Sequence, residues 1–183
     1  MKKRIVAITS IILLLALAML VVACGDEGSV SEQNASSQQE EPRAEPELTQ
    51  YVSDDTVNRF INEYNDLYDP DITDISERSI GYGCDLNGYL IELSSTDGLE
   101  IVVNATADKP EMGGTQEVLE QIVPIVDPSL SLEEFDGTYE SILSEDYLKE
   151  NVELGKIKLT YAPTKDLSGG RSLGHVTVKV DSY

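Results

Sequence analysis

The sequence predicts an α+β fold: a mostly antiparallel sheet with helices packed on one face, in the order α-β-β-β-α-α-β-β over residues 53–183. Three observations lead there. Apolar residues recur with a helical period in some stretches and with a strand period of two in others. The two patterns come in runs, strands beside strands and helices beside helices, rather than in the strict alternation of a parallel sheet. Turn signals such as Asp85-Leu86-Asn87-Gly88 and Asp97-Gly98 join neighbouring strands directly, which only antiparallel pairs allow.

The first element is a helix. Ser53, Asp54 or Asp55 can cap it, since a short polar side chain accepts from the free amides of the first turn and an acid suits the positive end of the helix. Val57, Phe60, Ile61, Tyr64, Leu67 and Tyr68 fall on one face, and Asp69-Pro70 ends it. Ile80, Tyr82 and Cys84 then alternate, followed by Tyr89, Ile91 and Leu93, and by Leu99, Ile101, Val103 and Ala105. With Glu100, Asn104 and Thr106 in the opposite phase, this reads as a meander with one wet face. Thr115 can cap a second helix that turns Val118, Leu119, Ile122 and Val123 inward, and Pro124 ends or kinks it. Ser131-Leu132-Glu133-Glu134 is a capping box for a third, with Leu132, Phe135, Tyr139, Ile142 and Leu143 inward. Tyr147 and Leu148 continue that helix or form a short turn. The last two strands carry Ile157, Leu159 and Tyr161, and Val176, Val178 and Val180. A Gly- and Ser-rich loop, Pro163 to Gly174, joins them.

The residues before this domain have a different character. Lys2, Lys3 and Arg4 precede an unbroken apolar run from Ile11 to Val22, 12 residues long. That suits the hydrophobic region of a signal peptide better than a membrane-spanning helix, which takes about 20 residues. Val21-Val22-Ala23-Cys24 follows, and it resembles the lipobox of bacterial lipoproteins. The resemblance implies acylation of the Cys24 thiol and cleavage after Ala23, with residues 1–23 as the signal peptide. Two acyl chains hold a protein on a bilayer where one does not, at roughly 0.8 kcal/mol per buried CH2. An uncleaved anchor is the alternative, because Ile5 to Val22 gives 18 largely apolar residues. Residues 24–52 are rich in Ser, Glu, Gln, Pro and Gly and lack aromatics until Tyr51, so they read as an acidic, disordered tether. The remaining residues, 53–183, form the extracytoplasmic domain. Its VNRFINEYN, IVPIVDPSLSLEEF and LGKIKLTYAP segments resemble uncharacterised lipoproteins of Gram-positive bacteria, a resemblance that implies no activity.

Net charge is −21 over 183 residues, and removing Lys2, Lys3 and Arg4 makes the remainder more acidic still. Such a surface repels nucleic acid, whose binding depends on Lys and Arg neutralising phosphates. With Cys24 lipidated, Cys84 is left without an intramolecular partner, so the domain is held by its core and not by a disulfide. Cys84 shares the phase of Ile80 and Tyr82, which places it in the core as an inert thiol. His175, the single histidine, falls on the outward phase of the last strand with no nucleophile pattern near it.

Asp66, Asp69, Asp71 and Asp74 cluster after the first helix, but Asp74 stands where a calcium loop of the EF-hand type needs glycine, and Ile80 where it needs a bidentate Glu. Gly169-Gly170-Arg171-Ser172 lacks the arrangement of a phosphate loop and reads as a hairpin. Lys165 and Arg171, rare positives on an acidic body, make it a candidate recognition loop. No residue set predicts catalysis, and no cofactor or metal is expected. The functional expectation is a non-enzymatic binding or interaction module, held to the outer side of the membrane by lipid on Cys24 and facing a cell-envelope protein or polymer. The alternatives are a small-ligand or cation-binding lipoprotein and an enzyme of the cell envelope.

Overall fold

The computed structural model describes residues 48–69 and 72–183. The signal peptide, Cys24, most of the tether, Pro70 and Asp71 lie outside the described residues.

The fold is α+β. Helix α1 (Asp55–Leu67) comes first, then strands β1 (Ser76–Glu77), β2 (Tyr82–Leu86), β3 (Tyr89–Ser94) and β4 (Leu99–Asn104). A 3-10 turn (Met112–Gly114) leads into α2 (Thr115–Val126) and α3 (Leu132–Leu143). Strands β5 (Lys149–Leu154), β6 (Ile157–Ala162), β7 (Lys165–Leu167), β8 (Gly170–Ser172) and β9 (His175–Val180) complete the domain. The order read from the sequence is present, with additions: the full-length strand β5 and two short ones, β1 and the β7–β8 hairpin. Seven strands form one sheet in the order β1-β2-β3-β4-β9-β6-β5, with every pair antiparallel.

The alternation decides which face the helices cover. Ile91 and Leu93 on β3, Leu99, Ile101 and Val103 on β4, Val176, Val178 and Val180 on β9, and Ile157 and Leu159 on β6 are all at most 1% exposed. Against them pack Val57, Phe60, Ile61 and Tyr64 of α1, Val118, Leu119, Ile122 and Val123 of α2, and Phe135 and Tyr139 of α3. The other face carries Glu92, Glu100, Thr177, Lys179, Lys158 and Thr160, all half-buried and polar. It is the wet face that the alternation of β4 predicts.

Asp54 is the cap of α1, and its Oδ1 accepts from the amides of Thr56 and Val57, both at 3.0 Å. Ahead of it, Asn58 Oδ1 accepts from the amides of Tyr51 (2.7 Å) and Val52, which draws Val52 into the core. Ser131 Oγ caps α3 by accepting from the Glu134 amide at 3.2 Å.

Five local expectations need correction. Thr115 does not cap α2: it is the first residue of that helix, the cap position is Gly114 with no side-chain bond, and Thr115 Oγ1 donates back to the Met112 carbonyl. Leu67 is 64% exposed: it is the final residue of α1, beyond Tyr64, the last of that helix's buried residues. Ile80, 76% exposed, belongs to the turn ahead of β2 rather than to the strand. Leu132, at the first turn of α3, is 41% exposed. Pro124 does not end α2, which runs two residues further because Ile125 and Val126 are buried. Proline removes one helical hydrogen bond, and the burial of the two residues behind it offsets that loss.

The sheet has two edges. β1 is only two residues long. β5 is interrupted by a bulge between Lys149 and Val152, where Asn151 takes a φ of 54°.

Candidate functional site

One groove lies where the sheet hands its chain over to the β7–β8 hairpin. Segment 110–113, between β4 and α2, lines it together with Asp166 and Arg171 of that hairpin. Thr164 joins the two: its Oγ1 donates to the Pro110 carbonyl at 2.8 Å and accepts from the Gly174 amide at 2.8 Å. Gly174 O accepts from the Ala105 amide at 2.9 Å, and Tyr89 OH donates to the Glu111 carbonyl at 3.1 Å. The hairpin root is therefore fixed to the end of β4 and to the approach of α2.

The groove encloses about 490 Å³, with Glu111, Glu145, Asp146, Asp166 and Arg171 around Tyr161. Acids outnumber bases four to one among these charged residues. Arg171 faces Asp166 in the hairpin register, and its Nε donates to Asp166 Oδ1 at 2.8 Å. That hydrogen bond, with the guanidinium charge behind it, holds the Asp166 carboxyl below its ordinary range and raises Arg171. Both groups are well exposed, so the pair adds little to stability; it sets the direction of the guanidinium instead. At the floor, burial and then the nearby Asp146 charge push the Tyr161 hydroxyl upward, so it stays a neutral donor and acceptor.

A neighbouring groove of about 580 Å³ shares Glu145 and is lined by Glu133, Glu134, Ser141, Lys149 and Val152. Lys149 bridges the local charges. Its Nζ lies 3.3 Å from Glu145, donates to Tyr147 OH at 2.7 Å and sits 4.4 Å from the centre of that ring.

The structure brings Arg171 into the first groove but leaves Lys165 outside its lining, opposite Ser172 in the hairpin register. The Gly169–Ser172 run is the hairpin's turn and second strand. His175 opens β9 on the wet face, between Asn104 and Ala162 in register, and is not among the groove residues. Cys84 is 5% exposed, and burial, helped by the Asp85 charge, pushes its thiol up to about 12. The acidic stretch is split by the end of α1, with Asp66 in its last turn and Asp69 and Asp74 beyond it, all at exposed positions, while Asn65 grips both the amide (2.7 Å) and the carbonyl (3.0 Å) of Ile72. Among the described residues, no group of three His, Cys, Asp or Glu side chains is placed to hold a metal ion, and no helix is long and apolar enough to cross a membrane.

Sequence reasoning missed Glu111, Glu145, Asp146 and Lys149. Glu111 comes from the β4–α2 connection, Glu145 and Asp146 from the α3–β5 connection, and Lys149 opens β5, and no spacing along the chain marks them as neighbours.

No protein-family model, curated protein or solved structure matches the chain.

Proposed function

We propose that the protein is a lipid-anchored, extracytoplasmic binding module without enzymatic activity. Its anchor is the acylated Cys24, and its working surface is the groove beneath the β7–β8 hairpin. The positive residues, apolar run and Val21-Val22-Ala23-Cys24 stretch support the anchor. The observation that carries the binding role is the orientation of Arg171 by Asp166 on the rim of an acid-lined groove. A single aimed guanidinium on an acidic body is suited to donating to one carbonyl- or hydroxyl-rich feature of a cell-envelope protein or polymer. The acid excess rejects nucleic acid.

A second reading has one observation in its favour. Four carboxylates around Tyr161 suit a cationic small molecule better than a polymer.

The anchor is tested by labelling growing cells with a radioactive fatty acid. The wild-type chain takes up label and Cys24→Ser does not; equal labelling of both sinks the anchor. The binding role is tested by crosslinking the chain from Leu48 onward to envelope extracts, beside its Arg171→Ala variant and a charge-matched acidic control. One species captured by wild type and lost with Arg171→Ala supports the module. Capture no different from the control removes it, and a thermal-shift screen of cations then decides the second reading.

A further inference from the structure

Asn87-Gly88 is the single Asn–Gly pair in the chain, and it forms the two-residue turn between β2 and β3. Asn87 has a φ of 55° and Gly88 a φ of 82°, with Leu86 paired to Tyr89 across the turn. Two positive φ values are what a tight turn matched to the sheet twist requires. The same dipeptide is chemically labile. The Gly88 nitrogen can attack Cγ of Asn87, so that an N–C bond forms, the Cγ–Nδ2 bond breaks and ammonia leaves. Water then opens the five-membered imide at either carbonyl and gives aspartate or isoaspartate. The reaction needs a Gly88 nitrogen free to lose its proton and an Asn87 backbone free to rotate.

Both requirements are blocked here. The Gly88 amide donates to Asp85 Oδ1 at 3.0 Å, and a carboxylate beside an N–H holds the proton on it. The Asn87 carbonyl accepts from Lys109 Nζ, and the Gly88 carbonyl accepts from Thr106 Oγ1 at 3.1 Å. Thr106 and Lys109 are tied to each other by two further bonds, Lys109 amide to Thr106 Oγ1 and Thr106 amide to the Lys109 carbonyl, both 3.1 Å. Closing the imide ring means rotating the peptide between Asn87 and Gly88 out of the first two grips, those on the Gly88 amide and the Asn87 carbonyl, against the third, which holds the next peptide in place.

We propose that Asn87–Gly88 is a conditional modification site, closed to imide formation while Asp85, Thr106 and Lys109 hold the turn and opened when the 106–109 segment lets go. Asn87 is exposed, so access is not what protects it. Modification marks chains whose turn has opened. Isoaspartate lengthens the backbone by one carbon inside a two-residue turn, so the Leu86–Tyr89 pairing no longer closes. An opened turn is thereby made permanent.

The test follows Asn87 in the full chain at mildly alkaline pH by peptide mapping, with isoaspartate scored separately and the Asn104 and Asn151 peptides as internal references. Losing the Asp85 and Lys109 hydrogen bonds, each involving a charged group, makes the open turn rare, so the folded wild type should react roughly a hundredfold more slowly than the same chain in urea. Asp85→Ala and Lys109→Ala, each checked for a folded spectrum, should each speed the folded rate by about five- to tenfold. Equal rates with and without urea overturn the proposal. So do two folded variants that both react at the wild-type rate. If neither variant folds, the urea comparison alone decides it.

Discussion

Asp127 offers the sharpest test of how this domain is held together. It follows α2 and has no exposed surface, yet it is an acid. Its Oδ1 accepts from the Ser129 amide at 3.1 Å and from Ser129 Oγ at 2.5 Å, and its Oδ2 accepts from the Lys156 amide at 2.8 Å. Gly155 lies against that carboxylate with a φ of 58°, and a Cβ there would collide with it. The residue thus clips the β5–β6 turn to the α2–α3 connection. Burial pushes its pKa up, but the hydrogen bonds from Ser129 and Lys156 together outweigh it and hold the carboxyl below the ordinary value.

Replacing Asp127 by Ala strands three donors that were bound to a charge, each worth about 1.5–3 kcal/mol. Three such bonds would lose about 4.5 kcal/mol even at the low end; water reaching these partly buried donors recovers part of that and leaves a loss of about 3 kcal/mol. At this domain size that lowers Tm by roughly 10 °C. Asp127→Asn keeps one acceptor but aims an NH2 at a donor, and should lose about 2 kcal/mol. Urea unfolding at neutral pH measures both: the midpoint falls while the slope stays constant.

The pH arm has a definite sign. A depressed folded pKa means the stabilisation is complete above the unfolded value of about 3.9 and is lost as pH falls through the folded one. Wild type should therefore lose stability below about pH 4 more steeply than Asp127→Asn. A loss of less than about 1 kcal/mol for Asp127→Ala would place its effect among ordinary surface changes and refute the reasoning. An Asn variant with the wild-type pH profile would refute it equally.

The remaining predictions concern the core. In a Cys24→Ser background Cys84 is the sole thiol, and its burial and raised pKa predict slow reaction with a thiol reagent when native and fast reaction in urea; fast native labelling would contradict the core placement. Tyr139→Phe removes the 2.6 Å bond between Tyr139 OH and Thr115 Oγ1. Because Thr115 Oγ1 still donates to the Met112 carbonyl, the cost should be only about 1 kcal/mol in a urea melt.

Much of the fold was legible because one rule governs most of its strands. On β3, β4, β6 and β9 every second residue is buried, and apart from Leu90 and Val102 those are the positions where Val, Ile, Leu and Tyr occur. Where that rule fails, so does the reading. β5 carries a bulge that breaks its period, and its residues Lys149 to Glu153 include only one hydrophobe, Val152, so nothing in the run announces a strand. Ile80 keeps the phase of β2 although the chain has already turned away. The groove was less legible for a different reason. Arg171 stood out as a cation in an acidic chain, but Glu111, Glu145 and Asp146 resemble every other acid here until the hairpin root is fixed by Thr164. Their meeting is a property of the connections, which carry no period.

The two ends of the sheet bear on how this domain behaves when crowded. Growth of one sheet into another needs a straight rim with a row of free donors and acceptors. On one side that rim is β1, with two residues and hence almost no row. On the other, the bulge at Asn151 bends β5, and the exposed Glu150 and Glu153 meet any incoming copy with like charge. Copies held close together in a plane would thus touch by their rims without fusing into a continuous ribbon.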